Sequence, residues 1–186
     1  MFSAKTSSLL SAIDRLQYQS RKVIAFKPKI DSRYSTENIT THTGQQYPAV
    51  CISTGDELLA HIAVCNEKFD VIAVDEAFMI DGISEALIML FREGVTVIVS
   101  SLDMSAGCVP FKEIQEILPW ATKVEKLTAV CSLCKADAHY TQRKFDDSSE
   151  EIRVGGEDLY EPRCFRCHTG IGYSWDSVEK NWKGDN

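Results

Sequence analysis

Two cysteine pairs, Cys131-x-x-Cys134 and Cys164-x-x-Cys167, carry the sharpest chemical signal in the sequence. Two residues between cysteines let both thiolates of a tight turn face one ion. Two such turns supply four tetrahedral ligands, so the spacing predicts a Zn²⁺ site. Four sulfurs leave no position for water, and the expected role is structural. The intervening stretch, 135–163, exceeds the usual ribbon spacing and calls for an inserted hairpin. His168 adjoins Cys167, but four cysteines suffice without it. A second signal is Asp75-Glu76, which closes the apolar run Val71-Ile72-Ala73-Val74. Ligands of open α/β sheets bind at the carboxyl ends of parallel strands. An aspartate there can hold the magnesium of a nucleotide, and a neighbouring glutamate can accept a proton from a substrate hydroxyl. Simple surface termination of a strand is an equal alternative. The third signal opens the chain: Ser3-Ala4-Lys5-Thr6-Ser7 runs directly into a helical pattern. Lysine followed by Thr or Ser at a helix start is the end of a phosphate-cradling loop, in which backbone N–H groups, the ammonium and a metal-reaching hydroxyl act together. The full glycine pattern is not met, because Ala4 stands where its second glycine belongs. On this fragment alone, a helix start capped by Ser or Thr is the better reading.

The elements that must position these groups follow from periodicity. Leu9, Leu10, Ile13 and Leu16 recur at helical spacing between Thr6 and Arg21. Val23–Phe26 reads as a buried strand, and 29–46 as a long polar loop of the kind that is usually functional. A strand at 49–53, a helix at 55–67, a strand at 71–74, a helix at 83–92 stopped by Gly94 and a strand at 96–100 come next. A loop at 103–109 then precedes a short helix at 111–118. Strands that are apolar throughout and alternate with helices predict a mostly parallel α/β sheet covered on both faces. After residue 128 the character changes: a cysteine pair, a hairpin expected at 138–143, an acidic stretch at 146–151, Gly155-Gly156 and the second cysteine pair. The expected units are therefore a nucleotide-binding α/β domain at 1–128, a zinc lobe at 129–170 and a polar tail at 171–186.

Composition narrows the function classes. The 186 residues are 44% hydrophobic and 25% charged, as in ordinary globular domains. Twenty basic against 27 acidic side chains give a net charge of −7, which argues against nucleic acid or an anionic membrane as the main partner. No apolar run nears the roughly 20 residues of a membrane span and no signal-peptide pattern opens the chain, so a cytoplasmic location is expected. Seven cysteines, an odd number, fit a metal site better than a secreted disulfide framework.

Together the motifs resemble the zinc-containing thymidine kinases. Met1-Phe2-Ser3-Ala4-Lys5 is similar to that family's phosphate loop, M-F-S-G-K. Lys27-Pro28-Lys29-Ile30-Asp31-Ser32-Arg33-Tyr34-Ser35 resembles its K-P-x-x-D-x-R-Y-S segment, and Thr41-His42-Thr43-Gly44 its S-H-x-G. Asp75-Glu76 resembles its acidic motif, while Leu102-Asp103 and Pro110-Phe111 frame its substrate-covering loop. The runs 126–131, 140–143 and Val154 to Cys164 complete the likeness across about 165 residues.

The resemblance implies a P-loop-type sheet and transfer of phosphate from ATP, with Mg²⁺, to the 5′-hydroxyl of thymidine or deoxyuridine. Ser3, Ala4, Lys5, Thr6 and Ser7 would surround the donor phosphates and metal, with Asp31, Arg33 and Asp75, and Glu76 would be the general base. Asp103, Phe111, Thr141, Val154, Gly155, Gly156 and Tyr160 would enclose the nucleoside. Zn²⁺ would be structural, and the family commonly assembles as homotetramers or homodimers. The sequence also departs from the family. The strand that precedes the phosphate loop has no counterpart, so open sheet edges are expected. Phe78 stands at the family's glutamine, and Ala106 at an expected aromatic residue. These departures leave a second reading open, a weakened relative acting as a nucleotide-binding or regulatory subunit.

Overall fold

An apolar run without polar alternation belongs to a strand covered on both faces, and residues 71–75 behave accordingly. The structure, a computed structural model, describes residues 3–31, 37–144 and 158–169. Strand β5 (Val71–Asp75) is buried along its whole length. It lies between β1 (Val23–Pro28) and β6 (Thr96–Ser100), with β4 (Val50–Ile52) beyond β1. The sheet order is β4-β1-β5-β6 and every pairing is parallel. The register sets Ala25 beside Ala73 and Asp75 beside Ser100. The fold is thus the expected mixed α/β one, a parallel sheet flanked by helices.

The two faces carry different cores because alternate residues point opposite ways. On one face, Leu9, Leu10 and Ile13 of α1 (Lys5–Tyr18) pack on Ala25 and Ala73, with Ile98 beside them. On the other, Phe26, Ile72 and Val74 meet Leu58 of α2 (Gly55–Val64), Ile83 and Leu87 of α3 (Ile83–Arg92), and Ile114 of α4 (Lys112–Ile117). Burying one such Leu or Ile contributes about 1.5–3 kcal/mol. The alanines under α1 matter for function: their small side chains let the helix lie close over β5.

Two expectations are corrected. Residues 29–46 are not simply a loop, since β2 (Asn38–Thr40) pairs antiparallel with β3 (Gln46–Pro48). Thr41–Gln45 make the turn: Thr41 N–H donates to the Gln45 carbonyl, and Gly44, at φ 86°, donates to the Thr41 carbonyl. Buried Ile39 pins the hairpin to the α1 core. Strands of three residues with polar outer faces are too short to show a period. Nor do residues 138–143 fold on themselves. β8 (Asp137–Ala138) pairs with β7 (Ala129–Val130), while β9 (Tyr140–Arg143) pairs with β10 (Tyr160–Arg163). The segment serves two small sheets because each needs a partner distant in sequence.

Among the described residues β6 ends the sheet, and beside it lies a cleft of about 990 Å³ whose lining includes Val97, Val99, Val124 and Leu127. Residues 122–128 belong to no helix or strand. No helix among the described residues is long and apolar enough to cross a membrane.

Candidate functional site

The close packing of α1 on Ala25 and Ala73 sets its first turn over the carboxyl end of β5. Thr6 Oγ1 there donates to Asp75 Oδ2 at 3.2 Å, across 69 residues of sequence. Of the two hydroxyls after Lys5, this contact belongs to Thr6. Ala4 caps the helix in the left-handed region, φ 56°, and its carbonyl accepts from Ser8 N–H at 2.9 Å. A glycine would hold that geometry without strain.

Asp75 is the last residue of β5 and is buried, with Oδ1 accepting from the Glu76 N–H at 3.1 Å. Burial first, and then the adjacent Glu76 charge, push its carboxyl up to about 6, against the pull of the Ser100 and Thr6 hydroxyls and the Lys5 ammonium. Glu76 itself is left-handed, φ 49°, so the chain turns out of the strand at that residue into a 3₁₀ turn, Ala77–Met79. Two acids that would point to opposite faces of a continued strand are thereby brought to one strand end.

The segment after β6 closes against this turn. Ser101 Oγ accepts from Phe78 N–H at 3.2 Å and donates to the Leu102 carbonyl at 2.9 Å. Phe78 and Phe111 stack with centroids 4.4 Å apart. The residue at the family's glutamine position is therefore a packing residue here, buried against the loop frame. The loop is tied at its base and neck: Phe111 N–H donates to the Asp103 carbonyl, and Ser105 N–H to the Val109 carbonyl. Asp103 also pairs with Lys126 at 2.8 Å. Ser3, Lys5, Asp103 and Thr141 all line the one cleft beside β6.

The four cysteines converge, with one sulfur from each within 4.8 Å of every other. Cys134 and Cys164 are 3.5 Å apart at sulfur. Lys135, at φ 64°, and the Lys135 N–H donated to the Cys131 carbonyl form the first turn; Cys167 and His168 N–H donated to the Cys164 carbonyl form the second. The backbone N–H of Cys134, above all, pulls the Cys131 thiol down to about 6, while hydrogen-bond sharing with Cys164 pushes Cys167 up to about 12. Four thiols this close cannot all ionise without a cation among them, so the donor set fits a metal. His168 stands apart from the cluster. Buried, it sets Nε2 3.1 Å from the Thr141 carbonyl and 4.0 Å from Cys108 Sγ, joining the second cysteine turn to β9 and the 103–109 loop.

The remaining expected residues are distributed as follows. Asp31 sits in the turn after β1, its N–H donating to the Pro28 carbonyl, and Ser7 lies on the first turn of α1. Tyr160 opposes Arg143 and Thr141 opposes Pro162, on neighbouring strands of the small sheet. Arg33, Val154, Gly155 and Gly156, like the 171–186 tail and the acidic 146–151 stretch, lie outside the described residues. Sequence reasoning gave no role to Ser101, Cys108 or the buried Glu113. Their roles rest on contacts across the fold, and nothing in their local spacing marks them.

Residues 1–168 match the family model described as thymidine kinase. That span takes in the carboxyl end of the sheet and all four cysteines, and the chain belongs to the thymidine kinase family.

Proposed function

We propose that this chain transfers the γ-phosphate of ATP to the 5′-hydroxyl of thymidine or deoxyuridine. The observation that carries the reading is the Thr6–Asp75 hydrogen bond, which joins a lysine-bearing helix start to the acidic end of a parallel strand. A buried carboxylate beside a hydroxyl and an ammonium suits a magnesium–phosphate complex. Bound Mg²⁺ would supply neutralising charge to the donor phosphates. Lys5 holds the phosphates as a point charge, with the backbone of Ser3 and Ala4 and the hydroxyls of Thr6 and Ser7 around it. Asp75 holds the metal, and Asp31 and Arg33 serve the donor phosphates and metal. Glu76 takes the proton of the attacking 5′-hydroxyl, at the residue where the chain turns out of β5.

The nucleoside side is formed by the 103–109 loop, Phe111, Thr141, Val154, Gly155, Gly156 and Tyr160. Such a reaction asks the protein mainly for positioning and charge stabilisation, and the ties of the 103–109 loop to Phe111, Lys126 and His168 suit that demand. Structural Zn²⁺ on Cys131, Cys134, Cys164 and Cys167 holds the lobe at 129–170 against the domain at 1–128. A cytoplasmic homotetramer or homodimer in nucleoside salvage is the setting the family supports.

The test is transfer of labelled γ-phosphate to thymidine by the purified protein. Glu76→Gln should lower kcat about 10²- to 10⁴-fold, the usual range for losing a general base, with KM for ATP little changed. Transfer by the wild type no faster than by Glu76→Gln sinks the reading.

A further inference from the structure

Glu113 is a buried carboxylate in a helix of only six residues, and none of the roles above uses it. Its two oxygens accept backbone hydrogen bonds from the start of α3: Oε1 from Gly82 N–H at 3.2 Å and Oε2 from Ser84 N–H at 2.8 Å. One turn on, Glu116 Oε2 accepts from the buried Ser84 hydroxyl at 2.5 Å. Gly82 caps α3 in the left-handed region, φ 65°. A helix start offers N–H groups with no intrahelical acceptor, and a carboxylate there meets both the open donors and the positive end of the helix dipole. Here that carboxylate arrives from 29 residues further along the chain.

What this contact holds together is more telling than the contact itself. Gly82 ends the short stretch that begins at Glu76, and Glu113 lies in the first turn of the helix that follows the 103–111 segment. The same two segments meet a second time where Phe78 stacks on Phe111 and donates its N–H to Ser101. From the opposite side the stretch is gripped by α2: Gly55 N–H donates to the Asp81 carbonyl at 2.8 Å. The fit is so close that a Cβ on Gly55 would lie 2.2 Å from the Gly82 carbonyl oxygen. The turn carrying Glu76 is therefore clamped at its far end between α2 and the carboxylate of α4.

We propose that Glu113 is a positioning residue: it fixes the 76–84 turn to the substrate loop, so that Glu76 and the 103–111 segment keep one relative arrangement. This inference rests on the phosphoryl-transfer reading above for its kinetic consequence, but not for its structural one. An amide at this position keeps the size of the side chain, yet it presents an NH₂ to one of the two N–H donors. Glu113→Gln should therefore retain one bond and lose the other, and Glu113→Ala should lose both.

The experiment pairs amide hydrogen exchange with steady-state kinetics on the full chain, comparing wild type, Glu113→Gln and Glu113→Ala. Exchange at Gly82 and Ser84 should accelerate at least tenfold in Glu113→Ala, and less in Glu113→Gln, while the amides of β5 keep their protection. Thymidine phosphorylation should show kcat lowered about 10- to 100-fold in Glu113→Ala and about tenfold in Glu113→Gln, with KM for ATP within twofold, as expected when a reacting group is misplaced and not removed. Unchanged exchange at Gly82 and Ser84, or equal loss of protection across β5, overturns the proposal. So does a kcat within twofold of wild type in Glu113→Ala. A wild type that transfers no phosphate refutes the functional reading alone, and the exchange pattern then decides the clamp.

Discussion

At Ala4 local conformation opposes stability, and at Asp75 buried charge does. Ala4 holds φ 56°, a conformation that costs a residue with a Cβ about 1–2 kcal/mol. Ala4→Gly relieves that strain but frees the unfolded chain, which offsets about 0.4–1 kcal/mol. The net gain should be about 0.5–1 kcal/mol by urea unfolding, with a lower KM for ATP because the backbone approaches the phosphates without a methyl group. A destabilised glycine variant would contradict the strain. Asp75 has a native carboxyl pushed up to about 6 from an ordinary 3.8. The folded state then binds the proton more tightly than the unfolded state, so this group favours folding below about pH 4 and that contribution is lost as pH rises through 6. With Mg²⁺ absent, Asp75→Asn should be more stable than wild type at pH 8, by on the order of 2 kcal/mol, and the gap should narrow towards pH 4. A gap independent of pH in paired denaturation curves would remove the burial account. Activity should move the opposite way with pH, since only the carboxylate binds metal.

At the scale of elements, the two cysteine turns matter beyond their own lobe. The second turn ends at Cys167, and the next residue, His168, reaches both Thr141 on β9 and Cys108 in the 103–109 loop. Metal in the cluster should therefore steady the loop as well as the lobe. About one Zn²⁺ per chain is expected by metal analysis, falling to near none in Cys164→Ser. That variant should also raise KM for thymidine more than KM for ATP, because the proposed function puts the loop and β9 on the nucleoside side. Full metal content in Cys164→Ser, or equal changes in the two KM values, would refute the link. The elements also explain Phe78. A residue foreign to the family pattern is accommodated by Phe111, which stacks on it and closes the turn to the loop.

For the whole molecule, the decisive feature is the edge position of β6, which among the described residues pairs with β5 alone. An edge strand presents a row of backbone donors and acceptors, which invites pairing with another chain. The rim of the cleft adds Trp120 and Phe91, 45% and 38% exposed. Concentration-dependent self-association is expected by sedimentation or light scattering over a tenfold dilution, and Trp120→Glu should weaken it. A monomer unchanged across that range, with no effect of the substitution, would show the edge to be protected.

Local spacing announced the cysteine cluster and most strands and helices, because each depends on residues a few positions apart. By spacing alone, Asp75-Glu76 reads equally as a strand end and Lys5-Thr6 rather as a plain helix start. The three-residue strands β2 and β3 escaped notice, being too short to show a period. The partnership of β9 with β10 escaped too, because it joins residues some twenty positions apart. What only folding could decide was which distant groups meet: Thr6 with Asp75, His168 with Thr141 and Cys108, and Glu113 with the start of α3. The reason is geometric. Ala25 and Ala73 let α1 lie close on the sheet, and that depth of packing, set by residues remote from the helix start, carries Thr6 to the carboxylate.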